Sequence, residues 1–314
     1  MEPFSRRGHV PETTAPHCSP KNVTSFESTA SDVTLENESD TFDIGGELTV
    51  NRLGYGAMRL TGEDIIGRPD DEEEARRILH EVVSTGTNFI DTADSYGPAV
   101  SERLIGEALH PYPSDLVVAT KGGLWRDERD GSWPKCGEPG YIRNAILGSL
   151  DRLNVDTIDL YQYHRPDPDV PFEDTVNTFA ELKDEGKVRH VGLSNVSVEQ
   201  LEEARDIVDI ATVQNRYNVG NREHEDVLEA CEEYDIGFIP WFPLGAGDLG
   251  DKADVLDDIA ADHGASDRQI ALAWLLHHSP VTLPIPGTSS VDHLHENVAA
   301  SHIDLTDEEM ARLD

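Results

Sequence analysis

Strand-like and helix-like segments alternate along the chain from about residue 50 onwards. Short apolar runs bounded by Gly, Pro, Asn or Asp indicate the strands, and apolar residues at three- and four-residue spacing indicate the helices. The predicted strands are residues 52–58, 88–91, 116–121, 158–164, 189–194, 211–217, 237–242 and 281–285. The predicted helices are residues 71–84, 101–109, 141–153, 172–185, 198–208, 223–234 and a long helical region over 253–277. Eight strands that alternate with helices predict an α/β fold, a single-domain (β/α)8 TIM barrel.

The N-terminal part of the chain departs from this pattern. Residues 1–40 are rich in Ser, Thr, Pro and acidic residues, so we predict a disordered tail that precedes a barrel of residues 41–314. Gly45 and Gly46 separate two short apolar runs, which predicts a β-hairpin at the start of the barrel domain. An open doubly wound sheet is the alternative fold, but no G-x-G-x-x-G motif follows the first predicted strand.

Four residues that can transfer protons or carry charge lie at or just after predicted strand ends. Asp91, Lys121 and His164 each end a strand, and Tyr96 follows Asp91 after five residues. In a parallel barrel the carboxyl ends of all strands meet at one opening, where catalytic residues lie. We therefore expect these four side chains to meet at that opening.

Their chemistry suits the protonation of a carbonyl oxygen. An ammonium about 4 Å from a phenol oxygen, at an effective dielectric constant near 20, favours the phenolate by roughly 4 kcal/mol, or about three pKa units. We predict that Lys121 lowers the pKa of Tyr96 in this way, with Asp91 as the counter-ion that keeps Lys121 protonated. His164 would hydrogen-bond the substrate oxygen. An external reductant would then attack the carbon.

Each of the four residues taken alone also has a structural interpretation. Asp91 alone would suit a helix cap, Tyr96 a half-buried packing position, Lys121 the surface, and His164 a hydrogen-bonded core position. The functional interpretation rests on their joint occurrence at consecutive strand ends.

The chain is strongly acidic, with a formal net charge of −37 from 62 acidic and 25 basic residues. A polyanion of this size would be repelled by nucleic acids and anionic membranes, so neither is an expected partner. An acidic surface with few lysines is typical of proteins in a salty cytoplasm, where charges are strongly screened. We therefore hypothesise a halophilic source.

The cysteines and the chain start indicate a cytoplasmic protein. Cys18, Cys136 and Cys231 show no C-x-x-C pairing, which fits a reducing compartment and offers no metal site. No apolar run is long enough to span a membrane, and none follows the basic N-terminal residues as a secretory signal requires.

Five segments carry motifs in a fixed order: DTADSYG at 91–97 with SERLIG at 101–106, ATKGG at 119–123, YHRPD at 163–167, VGLSN at 191–195 and IPGTS at 285–289. Together they resemble the aldo-keto reductase family, in its prokaryotic type, from about residue 53 to residue 313. The resemblance implies a (β/α)8 barrel and an NAD(P)H-dependent oxidoreductase that reduces an aldehyde or ketone to an alcohol by hydride transfer.

Carried over position by position, the resemblance implies two sets of site residues. The catalytic set is Tyr96 as general acid, Lys121 and Asp91 as the pair that tunes it, and His164 as the residue that orients the substrate. The nicotinamide set is Ser194, Asn195 and Gln214 for the carboxamide and Trp241 for ring stacking. The turn that includes Pro243, Leu244 and Gly245 and continues to residue 250 would approach the pyrophosphate through backbone N–H groups.

The adenosine end departs from the family pattern. Gly287 stands where many members have a lysine, and His293 where many have an arginine for the 2′-phosphate. Thr288, Ser289 and the start of the following helix still offer donors to an anion. The adenine-contacting pair is matched by Glu296 and Asn297. We therefore predict NADPH (NADP+) as the cofactor, with NADH possible.

The substrate is less determined by the sequence. Tyr55, Met58, Trp125 and the loop 125–140 should line the pocket entrance, with an ordinary surface position as the alternative for Trp133. The chain ends at residue 314 and is expected to lack the long C-terminal loop that closes the pocket in many eukaryotic members of the family, so we expect an open site for broad or bulky carbonyl substrates.

Two other functions remain as alternatives. The first is a nucleotide-binding regulatory subunit with little turnover, which the complete four-residue set disfavours. The second is another barrel enzyme, a metal-dependent isomerase or hydrolase, which would need a His, Asp and Glu cluster at strand ends. His277 and His278 lie instead at a predicted helix end. The expected partner is a small-molecule carbonyl substrate, with monomer or homo-oligomer left open.

Overall fold

The computed structural model describes residues 41–245 and 252–314. The predicted tail, residues 1–40, and most of the predicted pyrophosphate turn, residues 246–250, lie outside the described residues. The predicted hairpin is confirmed: β1 (Thr41–Ile44) pairs antiparallel with β2 (Leu48–Asn51). Its turn contains Gly45 at φ 61° and Gly46 at φ 71°, values that glycine adopts without the steric cost of a Cβ atom.

Seven parallel strands follow in the described part of the chain, and each pairs with the next. They are β3 (Tyr55–Gly56), β4 (Phe89–Asp91), β5 (Val117–Gly122), β6 (Ile158–Tyr163), β7 (Val188–Ser194), β8 (Ile210–Gln214) and β9 (Gly237–Phe238). Their order in the sheet is their order in the sequence, as in a barrel built from repeated β–α units.

The eighth predicted strand, residues 281–285, is wrong as a regular strand. Pro284 and Pro286 have no N–H group, so a continuous ladder cannot form there. The segment nevertheless bonds on both sides: Leu283 N donates to Phe238 O at 2.7 Å, and Gly54 N donates to Pro284 O at 2.9 Å. These bonds join β9 to the segment that leads into β3, and the predicted (β/α)8 barrel is therefore confirmed, with an irregular eighth strand.

Helices pack around the strands. They are α1 (Glu72–Ser84), α2 (Val100–Leu109), α3 (Pro139–Leu153), α4 (Phe172–Asp184), α5 (Val198–Arg205), α6 (Glu225–Tyr234), α7 (Ala253–His263), α8 (Asp267–His278), α9 (Val291–Ala299) and α10 (Asp307–Leu313). The long helical region predicted over 253–277 consists of two helices, because Gly264 ends α7 in a left-handed conformation at φ 62°. Ser266 then begins α8, with its hydroxyl accepting from Gln269 N.

The barrel interior is apolar at its amino-terminal end. Ile44, Leu48 and Val50 of the hairpin share a buried cluster with inward-facing strand residues such as Phe89 and Leu160. The hairpin therefore closes this end of the barrel. The carboxyl ends of the strands remain for polar side chains, as the barrel geometry leads one to expect.

Candidate active site

A buried network at the ends of β4 and β5 joins three of the four predicted catalytic residues. Lys121 Nζ donates to Asp91 Oδ1 at 2.5 Å, to Thr92 O at 2.8 Å and to the Tyr96 hydroxyl oxygen at 3.3 Å. Lys121 is fully buried, whereas Tyr96 is 8 % exposed and borders a cavity. The ammonium thus has a carboxylate on one side and the phenol on the other.

Two glutamine side chains hold the second oxygen of Asp91. Gln162 Nε2 and Gln214 Nε2 each donate to Asp91 Oδ2 at 2.9 Å. With Lys121 on Oδ1, the buried carboxylate has three donors, which compensate for its removal from water. Sequence reasoning missed Gln162, and it assigned Gln214 only to the cofactor.

The pKa of Tyr96 moves opposite to our expectation. Burial raises the pKa of the phenol above its usual value and outweighs the nearby ammonium of Lys121, which lowers it. The predicted fall towards neutrality is therefore wrong, because it included the Coulomb attraction and omitted desolvation. For Lys121, burial lowers the pKa, but Asp91 and Tyr96 together raise it above its usual value. The amine thus stays protonated at neutral pH.

His164 completes the set from the end of β6. Its ring packs edge-on against the ring of Tyr96, with centroids 5.9 Å apart. Its Nδ1 lies 3.4 Å from Ser95 Oγ, and its backbone oxygen accepts from Asn195 Nδ2 at 3.1 Å. Burial, followed by the charges of Lys121 and Arg165, holds the pKa of the imidazole well below its usual value. His164 is therefore a neutral side chain at neutral pH.

A cavity of about 550 Å³ lies against this network at the carboxyl ends of the strands. Its size falls within the range of small-molecule sites. Asp91, Tyr96 and His164 line it, and Lys121 lies behind them. From the nucleotide-binding set, the lining includes Ser194, Asn195, Gln214, Trp241, Pro243, Leu244 and Gly287.

Comparison with known proteins agrees with this arrangement. The model of the Aldo/keto reductase family matches residues 52–314. The chain belongs to the aldo/keto reductase family. It is an NAD(P)H-dependent oxidoreductase that reduces a carbonyl group.

Three relatives span nearly the whole barrel of this reductase. An uncharacterized oxidoreductase of Schizosaccharomyces pombe is 50% identical over 269 residues, covering 86% of this chain and 87% of the relative. Pyridoxine 4-dehydrogenase of Escherichia coli is 42% identical over 283 residues, covering 88% and 98%. The crystal structure of an aldo/keto reductase from Klebsiella pneumoniae in complex with NADP and acetate has a TM-score of 0.75 at 28% identity, covering 88% and 94%.

One wall of the cavity has the polar groups that a nicotinamide needs. Trp241 Nε1 donates to Asn195 Oδ1 at 3.1 Å, and Asn195 Nδ2 donates to Ser194 Oγ at 2.8 Å. These bonds fix the indole ring and the amide at the cavity surface. An aromatic face beside a hydroxyl and amide groups, with Gln214 next to them, fits a planar ring that carries a carboxamide.

The residues predicted for the adenosine end, apart from Gly287, lie beyond the lining of this cavity. Thr288 is buried, and its hydroxyl accepts from Ser290 N at 3.0 Å, while Ser290 begins α9. His293 lies exposed in the first turn of α9. The remaining members of this set are exposed Ser289 before α9, and exposed Glu296 and buried Asn297 on α9. The structure thus separates the predicted nucleotide residues into a cavity group and a group at α9.

The entrance differs in part from expectation. Met58 and Trp133 line the cavity, as Leu124 and Lys135 of the same loop region do. Tyr55 does not, because it is buried and its hydroxyl donates to Thr288 O at 2.7 Å.

Trp125 is 39% exposed and lies outside the lining. Sequence reasoning missed Arg59, Ile65 and Arg165, which line the cavity. Arg165 directly follows His164, and this adjacency was a signal in the sequence.

Two further features bear on the alternatives. Within residues 41–245 and 252–314, no group of three or more His, Cys, Asp or Glu residues is arranged to hold a metal ion. None of the helices in that part of the chain is long and apolar enough to cross a membrane.

Proposed function

We propose that this reductase converts an aldehyde to an alcohol with NADPH, and that Tyr96 supplies the proton to the carbonyl oxygen. The contact of 3.3 Å between Lys121 Nζ and the Tyr96 hydroxyl carries the proposal, because it places a fixed positive charge beside a phenol whose ring packs against His164. NADPH, when bound, supplies the hydride. The side chains then have to place the carbonyl oxygen and move one proton to it.

Tyr96 enters the reaction as a neutral phenol. Burial raises its pKa, so the proton is in place at neutral pH. As the carbonyl oxygen becomes an alkoxide, the proton leaves Tyr96, and the phenolate that results lies beside the ammonium of Lys121. Asp91 keeps that ammonium charged. The charge of Lys121 is therefore most stabilising after proton transfer, as electrostatic catalysis requires.

His164 would orient the substrate as a neutral hydrogen-bonding group. Its Nδ1 faces Ser95, so Nε2 is the nitrogen left for the carbonyl oxygen. Because burial keeps the pKa of the imidazole low, His164 would not compete with Tyr96 as the acid.

We further propose NADPH as the preferred nucleotide. Ser194, Asn195 and Gln214 would hold the carboxamide beside Trp241, and the N-terminus of α9 would face the 2′-phosphate. The capped helix start and His293 support this choice, although the chain has Gly287 and His293 where many relatives have basic residues. NADH would then bind more weakly because it has no group for that helix end.

The substrate proposed is an aromatic aldehyde. Met58, Ile65, Leu124 and Trp133 contribute apolar surface to the cavity that His164 also lines. A flat ring would bury its faces there with its aldehyde towards Tyr96. Pyridoxine 4-dehydrogenase, the relative in Escherichia coli, is named for an aromatic alcohol, which supports this class.

Initial rates of NADPH and NADH oxidation would test the proposal. The panel consists of pyridoxal, benzaldehyde, acetaldehyde and acetophenone at high KCl. We expect the highest kcat/KM for an aromatic aldehyde with NADPH. Equal or greater kcat/KM with NADH would reject the nucleotide preference, and turnover of acetaldehyde alone would reject the aromatic class.

Three features of the setting are also proposed. The acidic composition, with a net charge of −37, supports a halophilic cytoplasm as the place of action. The motifs between residues 91 and 289 are the basis on which we propose the prokaryotic type of the family. We also retain the division into a tail of residues 1–40 and a catalytic domain of residues 41–314, on composition alone.

A further inference from the structure

Three positively charged side chains line the cavity. Arg59, Lys135 and Arg165 all border it, and none forms an ion pair with a carboxylate of the described residues. Among the described residues that line the cavity, Asp91 is the one carboxylate, and Lys121 already neutralises it. The cavity therefore has an excess of positive charge in a chain whose net charge is −37.

This excess contrasts with the outer surface. There, Arg76 has three carboxylate partners, Glu72, Glu73 and Glu107, at 2.9 Å each. Exposed Arg103 has no such ion pair in the described part of the chain, so a missing partner is not by itself evidence of a site. The informative feature is that three cations without an ion pair among residues 41–245 and 252–314 border one cavity, where a bound ligand would supply negative charge.

The three cations differ in position, which assigns Arg59 to the nucleotide and leaves Lys135 and Arg165 for the substrate. Arg59 lies next to Gly287, since a Cβ atom added there would be 3.6 Å from Arg59 Cγ, on the side assigned to the nucleotide. Lys135 lies on the loop that contains Trp133, where its strand-like pairing with Leu124 positions its backbone. Arg165 follows His164, and its guanidinium lies 5.8 Å from the centre of the Trp241 ring. The charge of Arg165 also acts on the two side chains that would contact the carbonyl, because it lowers the pKa of both Tyr96 and His164. Lys135 borders the same cavity as these two side chains.

We propose that the substrate carries an anionic group, a carboxylate or a phosphate ester, in addition to its carbonyl, and that Lys135 and Arg165 bind this group. The inference rests on the proposed function, since it concerns the substrate of the same site. Apolar Leu124 and Trp133 beside Lys135 would contact the body of the molecule. Guanidinium and ammonium groups are the side chains that bind carboxylate and phosphate oxygens best.

A pair of substrates that differ in charge and little in shape tests this proposal. 4-Carboxybenzaldehyde and its neutral amide, 4-carbamoylbenzaldehyde, would be compared by kcat/KM with saturating NADPH. We expect the acid to exceed the amide by about tenfold, mainly through KM. Pyridoxal 5′-phosphate and pyridoxal form a second pair, which shows whether phosphate or carboxylate is the preferred anion.

Substitutions of Lys135 and Arg165 test whether these residues cause the preference for the acid over the amide. Lys135→Gln and Arg165→Gln should each lower the ratio of kcat/KM for the acid to kcat/KM for the amide several-fold. Lys135→Arg keeps the positive charge and should keep this ratio close to the wild-type value. Arg103→Gln, at an exposed position on α2, is the matched control and should leave the ratio and kcat unchanged. The KM for NADPH would be measured in parallel, and a rise there without a change in the ratio would place Arg165 at the nucleotide and reject its proposed role.

The outcomes separate this inference from the proposed function. Equal kcat/KM for acid and amide in the wild-type enzyme overturns the anionic substrate while leaving the reductase proposal intact. Absence of turnover with every aldehyde and both nucleotides overturns the proposed function, and this inference with it.

Discussion

Two buried carboxylates, Asp91 and Glu102, lie on opposite faces of β5. On the inner face, Asp91 pairs with Lys121 of β5 at 2.5 Å. On the outer face, Glu102 of α2 accepts from Thr120 Oγ1 of β5 at 2.6 Å and from Arg152 of α3 at 2.6 Å. Both carboxylates are almost fully buried, at 2% and 0% exposure, and both are matched by a cation.

The two pairs differ in what lies beside the cation. Lys121 also reaches the hydroxyl of Tyr96, which borders the cavity. The pair of Glu102 and Arg152 joins two helices to the back of the strand, away from the lining that the described residues form. Burial and pairing are thus common to the pair that we propose as part of the catalytic site and to the pair that joins the helices. The two pairs differ because Lys121 also contacts Tyr96, a side chain that lines the cavity.

The largest expected effect comes from removing the hydroxyl of Tyr96. Tyr96→Phe should lower kcat by about 10² to 10⁴, with nucleotide binding retained, because the proton donor is lost and the ring remains. The matched control is Tyr161→Phe, since the buried hydroxyl of Tyr161 has no hydrogen-bond partner in the structure that the described residues make. Its kcat should stay within threefold of wild type. Steady-state kinetics and nucleotide titration by fluorescence provide both measurements, and a Tyr96→Phe enzyme within threefold of wild type would reject Tyr96 as the acid.

The next effect concerns the charge beside the phenol. Reduction needs protonated Tyr96, so its rate falls as the pH rises through the pKa of that group. Lys121 lowers this pKa against the larger effect of burial. Lys121→Met removes the lowering, so the falling limb of the pH–rate profile should move to higher pH, with kcat at pH 7 reduced about 10- to 100-fold. An unmoved limb would remove Lys121 from this role.

The same variant has a cost in stability. Without Lys121, Asp91 keeps the two amide donors from Gln162 and Gln214 but loses its counter-ion. Loss of one partner from a buried pair costs about 3–5 kcal/mol of folding free energy. Urea unfolding of the variant therefore has to accompany its kinetics.

The sequence predicts part of this site. Short apolar runs predict that Asp91, Lys121 and His164 lie at strand ends, and a barrel brings strand ends together. The sequence does not predict the direction in which the pKa of Tyr96 shifts, because desolvation depends on the packing around the phenol. The pair of Glu102 and Arg152 was not recognised, because residues on two different helices become neighbours only through helix packing.

The fold also has features that the sequence predicts and features that it does not. Residues 281–285 have the apolar pattern of a strand, but the prolines that follow Leu283 and Ile285 break its ladder. The cavity cations Arg59 and Arg165 were missed for a different reason. Any chain of this length has many arginines, and only tertiary structure shows which of them face a cavity instead of a carboxylate.

A smaller effect is expected on the outer face of β5. Glu102→Gln keeps the shape and the hydrogen bond to Thr120 but removes the charge that pairs with Arg152. We expect a loss of about 1–3 kcal/mol in unfolding free energy with kcat unchanged. Urea titration and kinetics on one preparation would check both. A loss of kcat comparable to that of Lys121→Met would show that the outer pair also acts on the reaction, and the contrast between the two faces would fail.

Salt should have the smallest effect on either buried pair. In molar KCl the screening length falls to about 3 Å, which weakens repulsion among exposed carboxylates but not contacts inside the protein. With a net charge of −37, the melting temperature should therefore rise as KCl increases from 0.1 M to 2 M. The falling limb of the pH–rate profile should stay in place, because Lys121 and Tyr96 lie away from the bulk solution. A limb that moves with salt would mean that ions reach Lys121, and the inner pair would then be no better insulated than the exposed pairs of α1.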